Sequence, residues 1–355
     1  MVYNNLIYRV IDTGEIVIDS ITNRNIKHII IPDEIDDIPV VLIVNDAFRD
    51  CPKLETVVIS DNVNCIGRRA FQNDKKLKSV KLSKNIRKIC SDTFNGCTSL
   101  EDIVLGDMLS TIESRAFYKC RNLKNISLPH NLTHIGEQAF YQCENITKII
   151  IPINIREIYE YTFFGCSSLE RVDLPLFLNT IGPYAFSDCS ELQEITIPHN
   201  VKKIEGSFKW CTSLKKIRFE CVGTMIDSQT FFGCTNLKEI SLEENLDTVA
   251  LNAFERCHVS KITFSRHVCF FSNITEACKN QLKEVCVAKD NPFFTSENGV
   301  LFDKEKEELL LYPAAKKGKK YVIPITVNKI YEKAFEDCNE LEEIIYPHEI
   351  IYCHY

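Results

Sequence analysis

The sequence predicts a repeat solenoid of the α/β class, a right-handed superhelix in which successive chain turns stack on one another. The first observation behind this prediction is a phenylalanine that returns every 23 residues, with one step of 22. The second is a cysteine three residues after each of them except Phe71, where Asp74 takes its place. These phenylalanines are Phe48, Phe71, Phe94, Phe117, Phe140, Phe163, Phe186, Phe208, Phe231 and Phe254.

Each repeat is expected to contribute one short strand. Counted from the phenylalanine, positions +9 and +11 are apolar, as in Ile126 and Leu128, and such alternation is typical of a half-buried strand. The residues at +8 and +10 then point outward. Proline, which has no N–H to give to a ladder, follows the strand in several repeats. These prolines are Pro129, Pro152, Pro175 and Pro198. We therefore expect a parallel sheet, with strands about 4.8 Å apart, on the concave face.

The Ala-Phe-x-x-Cys stretch has a helical spacing, so short helical turns are expected on the convex side. The cysteines in this stretch are interpreted as small buried residues with free thiols. A metal site would need convergent ligands, and neighbouring turns hold like cysteines slightly too far apart for comfortable disulfides. The repeat cysteines are Cys51, Cys97, Cys120, Cys143, Cys166, Cys189, Cys211, Cys234, Cys257 and Cys338. The remaining cysteines, which sequence alone cannot pair, are Cys65, Cys90, Cys221, Cys269, Cys278, Cys286 and Cys353.

Strands of Leu-x-x-Ile-x-Leu-Pro type joined to Ala-Phe-x-x-Cys turns resemble the BspA-type leucine-rich repeat proteins of bacteria and some protists. The resemblance implies a single leucine-rich-repeat solenoid over residues 1–355. Within it we expect an N-terminal cap (1–45), regular 23-residue repeats (46–265), irregular repeats with an inserted β-hairpin (266–330) and a final repeat (331–355). Adhesion or host interaction is the role that the resemblance implies for exported relatives.

Composition and motifs argue against several classes of function. The net charge of −7 does not favour a nucleic-acid surface, and the basic run Lys316–Lys320 is interpreted as a solvated turn. No nucleophile elbow, phosphate-binding loop or dinucleotide-binding glycine pattern occurs, so we expect no enzyme activity and no cofactor. His130 and His134 have a zinc-like spacing, but they lie in a predicted loop, so no metal is expected. No apolar run approaches the ~20 residues of a membrane span.

Localisation stays open. Residues 1–10 lack the pattern of a secretory leader, which favours the cytoplasm, whereas the resemblance favours the cell surface or the extracellular space.

Two sets of residues are candidate binding groups. Outward strand positions carry the basic residues Lys148, Arg171, Lys216 and Arg218, which could hold an acidic ligand or pair with opposite charges one turn away. Near the turns, aromatic residues are expected to be partly exposed, either as interface anchors or as a cover for the core. They are Tyr118, Tyr141 and Phe164 at +1, with Phe232 in a later repeat, and Tyr161 and Tyr184 at −2.

The function predicted from the sequence is a non-catalytic scaffold that binds a macromolecule, through protein–protein interaction or adhesion. A protein partner is expected. The alternatives are an intracellular interaction scaffold and a glycan-binding surface protein.

Overall fold

The computed structural model describes residues 1–244, 246–347 and 350–353. The chain divides into two compact units, Met1–Leu192 and Gln193–Tyr355. Both are built from the turns of a parallel-strand β-solenoid, about 14 turns in all over the described residues. The division into one domain with a cap, regular repeats and a final repeat stays a prediction, as does the handedness. Residues 348, 349, 354 and 355 of the predicted final repeat, and the side chain of Cys353, lie outside the described part.

The first unit begins with antiparallel strands and continues with parallel ones. Strands β1, β2 and β3 pair antiparallel, and β3 then pairs parallel with β6. The strands of this unit are β1 (Val2–Tyr3), β2 (Leu6–Val10), β3 (Ile16–Ile21), β4 (His28–Ile31), β5 (Glu34–Ile35), β6 (Ile38–Ile43), β7 (Thr56–Ile59), β8 (Cys65–Ile66), β9 (Ser79–Lys81), β10 (Lys88–Ile89), β11 (Asp102–Val104), β12 (Thr111–Ile112), β13 (His134–Ile135), β14 (Lys148–Ile150), β15 (Glu157–Ile158), β16 (Arg171–Asp173) and β17 (Thr180–Ile181).

Most turns of the first unit contribute two strands, where the sequence predicted one. The predicted strand pairs in the expected register, so that Val57 lies beside Val80 and Val80 beside Ile103. A second strand of only two residues follows, and its isoleucines, such as Ile89 and Ile112, pair with one another. The side chain of each of these isoleucines is buried while the residue before it is partly or fully exposed.

The expected helical turns are wrong, and so is the α/β class, because the described residues form a β-solenoid with almost no helix. The Ala-Phe-x-x-Cys stretches form hydrogen-bonded turns, not α-helix. In most repeats the residues two before and two after the phenylalanine have positive φ, as at Arg115 (58°) and Lys119 (60°) around Phe117. A right-handed helix cannot continue through a left-handed residue. Backbone bonds link the stacked turns instead, for example from the Phe117 N–H to the Ala139 carbonyl at 2.8 Å.

The core of the first unit is a column of phenylalanines, which we call the phenylalanine ladder. Its rings are fully buried, with centroids 5.1 to 5.5 Å apart. The ladder consists of Phe48, Phe71, Phe94, Phe117, Phe140, Phe163 and Phe186. The interpretation of the repeat cysteines as buried free thiols is confirmed for nine of them, whereas Cys338 is half-buried. Most donate to a carbonyl one turn away, as Cys143 Sγ does to Phe117 O at 3.2 Å.

Asp74 interrupts the column of thiols with a buried carboxyl group. Its Oδ1 accepts a hydrogen bond from the Cys51 N–H at 2.7 Å, while its Oδ2 has no hydrogen-bond partner among the described residues. Burial, with a smaller contribution from the Asp50 charge, raises the pKa of Asp74 to about 9. The carboxyl group is therefore neutral at pH 7, as its surroundings require.

The second unit repeats the parallel pattern and adds a hairpin. Strands β26 and β27 pair antiparallel through Asn298 and Gly299, whose φ values of 52° and 80° suit a tight hairpin turn. The elements of this unit are β18 (Glu194–Ile197), β19 (Lys203–Ile204), β20 (Lys216–Phe219), β21 (Thr224–Ile226), β22 (Glu239–Leu242), β23 (Leu246–Val249), β24 (Lys261–Phe264), α1 (Ser272–Cys278), a 3₁₀ turn (Lys279–Gln281), β25 (Glu284–Val287), β26 (Phe294–Glu297), β27 (Val300–Asp303), β28 (Glu308–Leu311), β29 (Lys320–Val322), β30 (Lys329–Tyr331), β31 (Glu343–Ile345) and β32 (Ile351–Cys353). No helix within the described ranges is long and apolar enough to cross a membrane.

Candidate functional site

Three aromatic rings of the first unit form a second stack outside the phenylalanine ladder. We call Tyr118, Tyr141 and Phe164 the outer aromatic column. Their ring centroids are 4.7 and 4.9 Å apart and their planes differ by about 10°. Each residue directly follows a ladder phenylalanine, so the register that stacks the ladder also stacks this column. All three are half-buried, which makes them neither core residues nor freely moving surface side chains.

Two further tyrosines flank this column. Tyr161 and Tyr184 stack with centroids 5.2 Å apart, and Tyr161 meets Tyr141 and Phe164 edge to face at 6.4 and 5.5 Å. Both tyrosines are also half-buried. The structure thus brings together all five aromatic residues that the sequence predicted for this unit. Edge-to-face and offset contacts of this kind hold rings in place with about 0.5–1.5 kcal/mol each.

The polar groups of this surface are phenols and a few charges at its margin. Burial, followed by the neighbouring Tyr118, raises the pKa of Tyr141, and burial also raises the pKa of Tyr161. Both phenols therefore stay protonated at neutral pH and can donate hydrogen bonds. The Lys119 ammonium lies 5.1 Å from the Tyr118 ring centroid, a cation–π contact at one end of the column.

Phe232, which the sequence placed in the same exposed class, is buried instead. In the second unit it packs edge to face against Trp210 at 5.2 Å, and the Arg256 guanidinium lies 5.1 Å from its ring. Lys209 adds a cation–π contact at 4.9 Å. The repeat pattern does not reveal this cluster, because position +2, which carries Trp210 and Arg256, holds only polar residues or glycine in the other regular repeats.

The four candidate basic residues fall into two separate pairs. Lys148 and Arg171 lie on the neighbouring strands β14 and β16 of the first unit, and Arg171 Nε donates to Asp173 Oδ1 at 2.8 Å. In the second unit Lys216 lies beside Glu194 in the strand register, and Arg218 lies beside Thr196 and Ser241. Arg171 is therefore already engaged by a carboxylate of its own strand.

The remaining motifs of the sequence, the basic run Lys316–Lys320 and His134 of the zinc-like pair, contact other residues of the chain. Lys319 and Lys320 of the basic run form ion pairs with Glu342 and Glu343, at 2.6 and 3.2 Å. His134 begins the short strand β13 and its ring lies 5.3 Å from that of Tyr159. Across the part of the chain that the structure describes, no group of three or more His, Cys, Asp or Glu side chains is placed to hold a metal ion.

The family follows from the repeat unit and the stacking that it produces. A family profile described as BspA type leucine-rich repeat region matches residues 15–120, 41–170, 89–207, 205–291 and 314–355. The chain belongs to this BspA-type leucine-rich repeat family. The resemblance seen in the sequence is thereby confirmed. None of the curated proteins compared with the chain matches it.

Solved leucine-rich repeat structures share the fold. The chain is similar to a leucine-rich repeat protein from Bacteroides ovatus ATCC 8483, with 22% identity, a TM-score of 0.58, and coverage of 100% of this chain and 90% of that one. A leucine rich cell surface protein from Faecalibacterium prausnitzii A2-165 is 21% identical, with a TM-score of 0.55 and coverage of 98% and 94%. The T. pallidum leucine-rich repeat protein is 28% identical, with a TM-score of 0.51, over 54% of this chain and 90% of that one.

Proposed function

We propose that this leucine-rich repeat chain is a non-catalytic scaffold that binds a partner protein through the outer aromatic column and its flanking tyrosines. The observation that supports this most is a set of five half-exposed aromatic rings already stacked in the free protein. Aromatic residues are enriched in the cores of protein interfaces and among the residues that dominate binding energy.

The buried core holds the backbone beneath these rings in place, and this favours binding. Tyr118 and Tyr141 follow Phe117 and Phe140, which are fully buried, so the backbone beneath the column is held by the core. Rings that are already ordered lose little side-chain entropy when a partner covers them. An interface built on this surface therefore gains the apolar area of the rings without a large ordering cost.

The orientation of the rings favours a protein over a glycan. Sugars are held by aromatic residues through the open face of a ring. Here both faces of Tyr141 are covered by Tyr118 and Phe164, and one side of Tyr118 is occupied by Lys119. Along its side the column offers a partner ring edges and phenol hydroxyls, which suits the mixed apolar and hydrogen-bonding contacts of a protein interface.

The test is capture of partners by the full chain from a whole-cell lysate and from a cell-surface extract. The comparison variant is Tyr118→Ser/Tyr141→Ser/Phe164→Ser. The matched control is Leu176→Ala/Phe177→Ala, which removes exposed apolar side chains of the same unit that lie outside the column. Thermal melting of each variant checks that it is folded.

The expected result is a protein captured by the wild type and the control but lost with the triple variant. With the purified partner, the triple variant should bind at least about tenfold more weakly, because loss of hot-spot rings costs more than about 1.4 kcal/mol. Capture that is equal for all three proteins would refute the proposal. The extract from which the partner comes separates adhesion from an intracellular scaffold.

A further inference from the structure

Two free cysteines outside the repeat position lie on neighbouring turns of the first unit. Cys65 begins strand β8 and is half-buried, and Cys90 directly follows strand β10 and is buried. Ile66 pairs with Ile89, so each cysteine is next to one residue of this pair. Because alternate residues of a strand point to opposite faces, both thiols leave the ladder on the side opposite to the buried isoleucines.

The two cysteines occupy a diagonal that brings side chains together elsewhere in the solenoid. The first member of such a pair directly precedes the buried isoleucine of one turn, and the second directly follows the equivalent isoleucine of the next turn. Three other pairs on this diagonal are in contact: Lys88 and Glu113 at 2.6 Å, Lys203 and Asp227 at 2.9 Å, and the rings of His134 and Tyr159 at 5.3 Å between centroids. The repeat geometry therefore places Cys65 and Cys90 side by side.

The direction of the Cys90 side chain explains this contact. Gly67 has the same position one turn earlier, and a Cβ atom there would lie 2.5 Å from the Asn45 nitrogen of the turn before it. A side chain at this position thus projects towards the preceding turn, which for Cys90 is the turn of Cys65. Gly67 lies beside Cys90 in the register and has no side chain that could separate the two thiols. The thiols hydrogen-bond to each other.

The two thiols differ in exposure and in charge. Cys65 is the more exposed, and it lies beside Lys88 of the next turn, whose ammonium pairs with Glu113. The hydrogen bond from Cys90 lowers the pKa of Cys65, and the Lys88 charge adds to this effect. The hydrogen bond to Cys65, together with burial, raises the pKa of Cys90. Cys65 is therefore the thiol that ionises and meets a reagent first, since the thiolate is the nucleophile.

We propose that Cys65 and Cys90 are a redox-active dithiol that closes to a disulfide by reaction with a small disulfide of the glutathione class. The Cys65 thiolate attacks one sulfur of the small disulfide, which breaks its S–S bond and releases one thiolate. The Cys90 thiol gives its proton to that thiolate and attacks the Cys65 sulfur, so that the second small thiolate leaves and takes up the proton that Cys65 had lost to solvent. Two protein thiols are oxidised, and one small disulfide is reduced to two thiols.

The structure also shows which thiol moves. Closing the bond brings the sulfurs from hydrogen-bond contact to bonding distance. Cys65 is the first residue of a two-residue strand, so it can shift while Ile66 keeps its place in the ladder. The pair stays open in a reducing compartment and closes in an oxidising one. This site is separate from the outer aromatic column and does not depend on the proposed function.

The experiment treats the reduced full chain with glutathione disulfide at neutral pH, in the absence of oxygen. Digestion without reduction, followed by mass spectrometry, identifies which cysteines are linked to each other and which carry glutathione. The variants are Cys90→Ser and Cys65→Ser. The matched control is Cys286→Ser, which removes another half-buried thiol, one that donates to Glu284 Oε1 at 2.9 Å. Circular dichroism on heating checks the fold of every variant.

The wild type and the control should yield two peptides joined through Cys65 and Cys90. Cys90→Ser should stop with one glutathione on Cys65, because the second step lacks its nucleophile. Cys65→Ser should leave Cys90 at least about tenfold slower to react than Cys65 is in the wild type, since Cys90 is buried and keeps its proton. Cys65 should also react at least about tenfold faster than Cys286, because burial and the Glu284 carboxylate raise the pKa of Cys286.

Glutathione that stays on Cys65 in the wild type would overturn the inference, since Cys90 would then be out of reach. So would a Cys65 thiol that reacts no faster than Cys286, or a disulfide from Cys65 to a cysteine other than Cys90. The linked peptides come from the wild type, so this result does not depend on how the variants fold. The outer-column triple variant should form the disulfide normally, which keeps this test apart from that of the proposed function.

Discussion

The two aromatic columns of the first unit differ in burial and not in stacking. The phenylalanine ladder and the outer aromatic column have similar ring spacings, 5.3 Å between Phe117 and Phe140 and 4.7 Å between Tyr118 and Tyr141. Yet the ladder is fully buried and the outer column is half-exposed. A repeat stacks whatever residue occupies a position, so stacking alone does not separate core from binding surface. Exposure to solvent does separate them, and its effect on the free energy of unfolding can be measured.

The largest expected difference in stability is between variants of two neighbouring residues of one turn, Phe140 and Tyr141. Phe140→Ala removes a fully buried ring and should lower the free energy of unfolding by about 3–5 kcal/mol. Tyr141→Ala removes a half-exposed ring and should cost less, about 1–3 kcal/mol, since its three ring contacts contribute about 0.5–1.5 kcal/mol each and part of the ring is already in water. Urea denaturation of both variants and the wild type measures the difference. Equal losses would show that the outer column is part of the core and would remove the reason to treat it as a site.

A smaller change in stability is expected for Asp74, which interrupts the column of thiols. The pKa of Asp74 is about 9 in the folded chain against an ordinary value of 3.8. Since the folded state holds the proton more tightly, its favourable contribution is complete below about pH 4 and is lost as the pH rises through 9. Asp74→Cys restores the repeat and should raise the free energy of unfolding by about 1–3 kcal/mol at pH 8.

The pH dependence distinguishes this effect from better packing. Between pH 5 and 9 the wild type should lose stability relative to Asp74→Cys, because only the wild type must take up a proton at this position when it folds. Asp74→Asn, which keeps an acceptor for the Cys51 N–H, serves as the control and should follow Asp74→Cys in its slope. Parallel stability curves for all three proteins between pH 5 and 9 would mean that Asp74 does not titrate as its burial requires.

The fold could be predicted because a period identifies equivalent positions without further information. The spacing of Phe117, Phe140 and Phe163 predicts one stacked column, and the structure contains it. The same spacing could not show that Lys119 and its equivalents adopt positive φ, since backbone conformation depends on local sterics and not on periodicity. The helical turns were wrong for that reason.

The candidate site was accessible to sequence reasoning only in part. Repeat positions brought Tyr118, Tyr141 and Phe164 together, but their exposure depends on the residues around each turn. Phe232 shows the limit, because Trp210 and Arg256 cover it in the second unit. The interruption of the parallel strands at 125–128, where Asn125 makes a single bridge to Asp102, could not be predicted. Asn125 and Ser127 occupy the same repeat positions as residues that do pair, so the repeat pattern does not reveal it.

The reactivity of the repeat cysteines tests the stacked arrangement most directly. In the native protein, a maleimide label followed by peptide mapping should leave the nine buried repeat cysteines unmodified, whereas Cys65 should react first. The Cys90 thiol, which hydrogen-bonds to Cys65, lowers the pKa of Cys65, and a thiolate is the reactive form. After denaturation all cysteines should react alike. Rapid native labelling of Cys120, Cys143 or Cys166 would contradict the account, because a thiol inside stacked turns cannot meet the reagent.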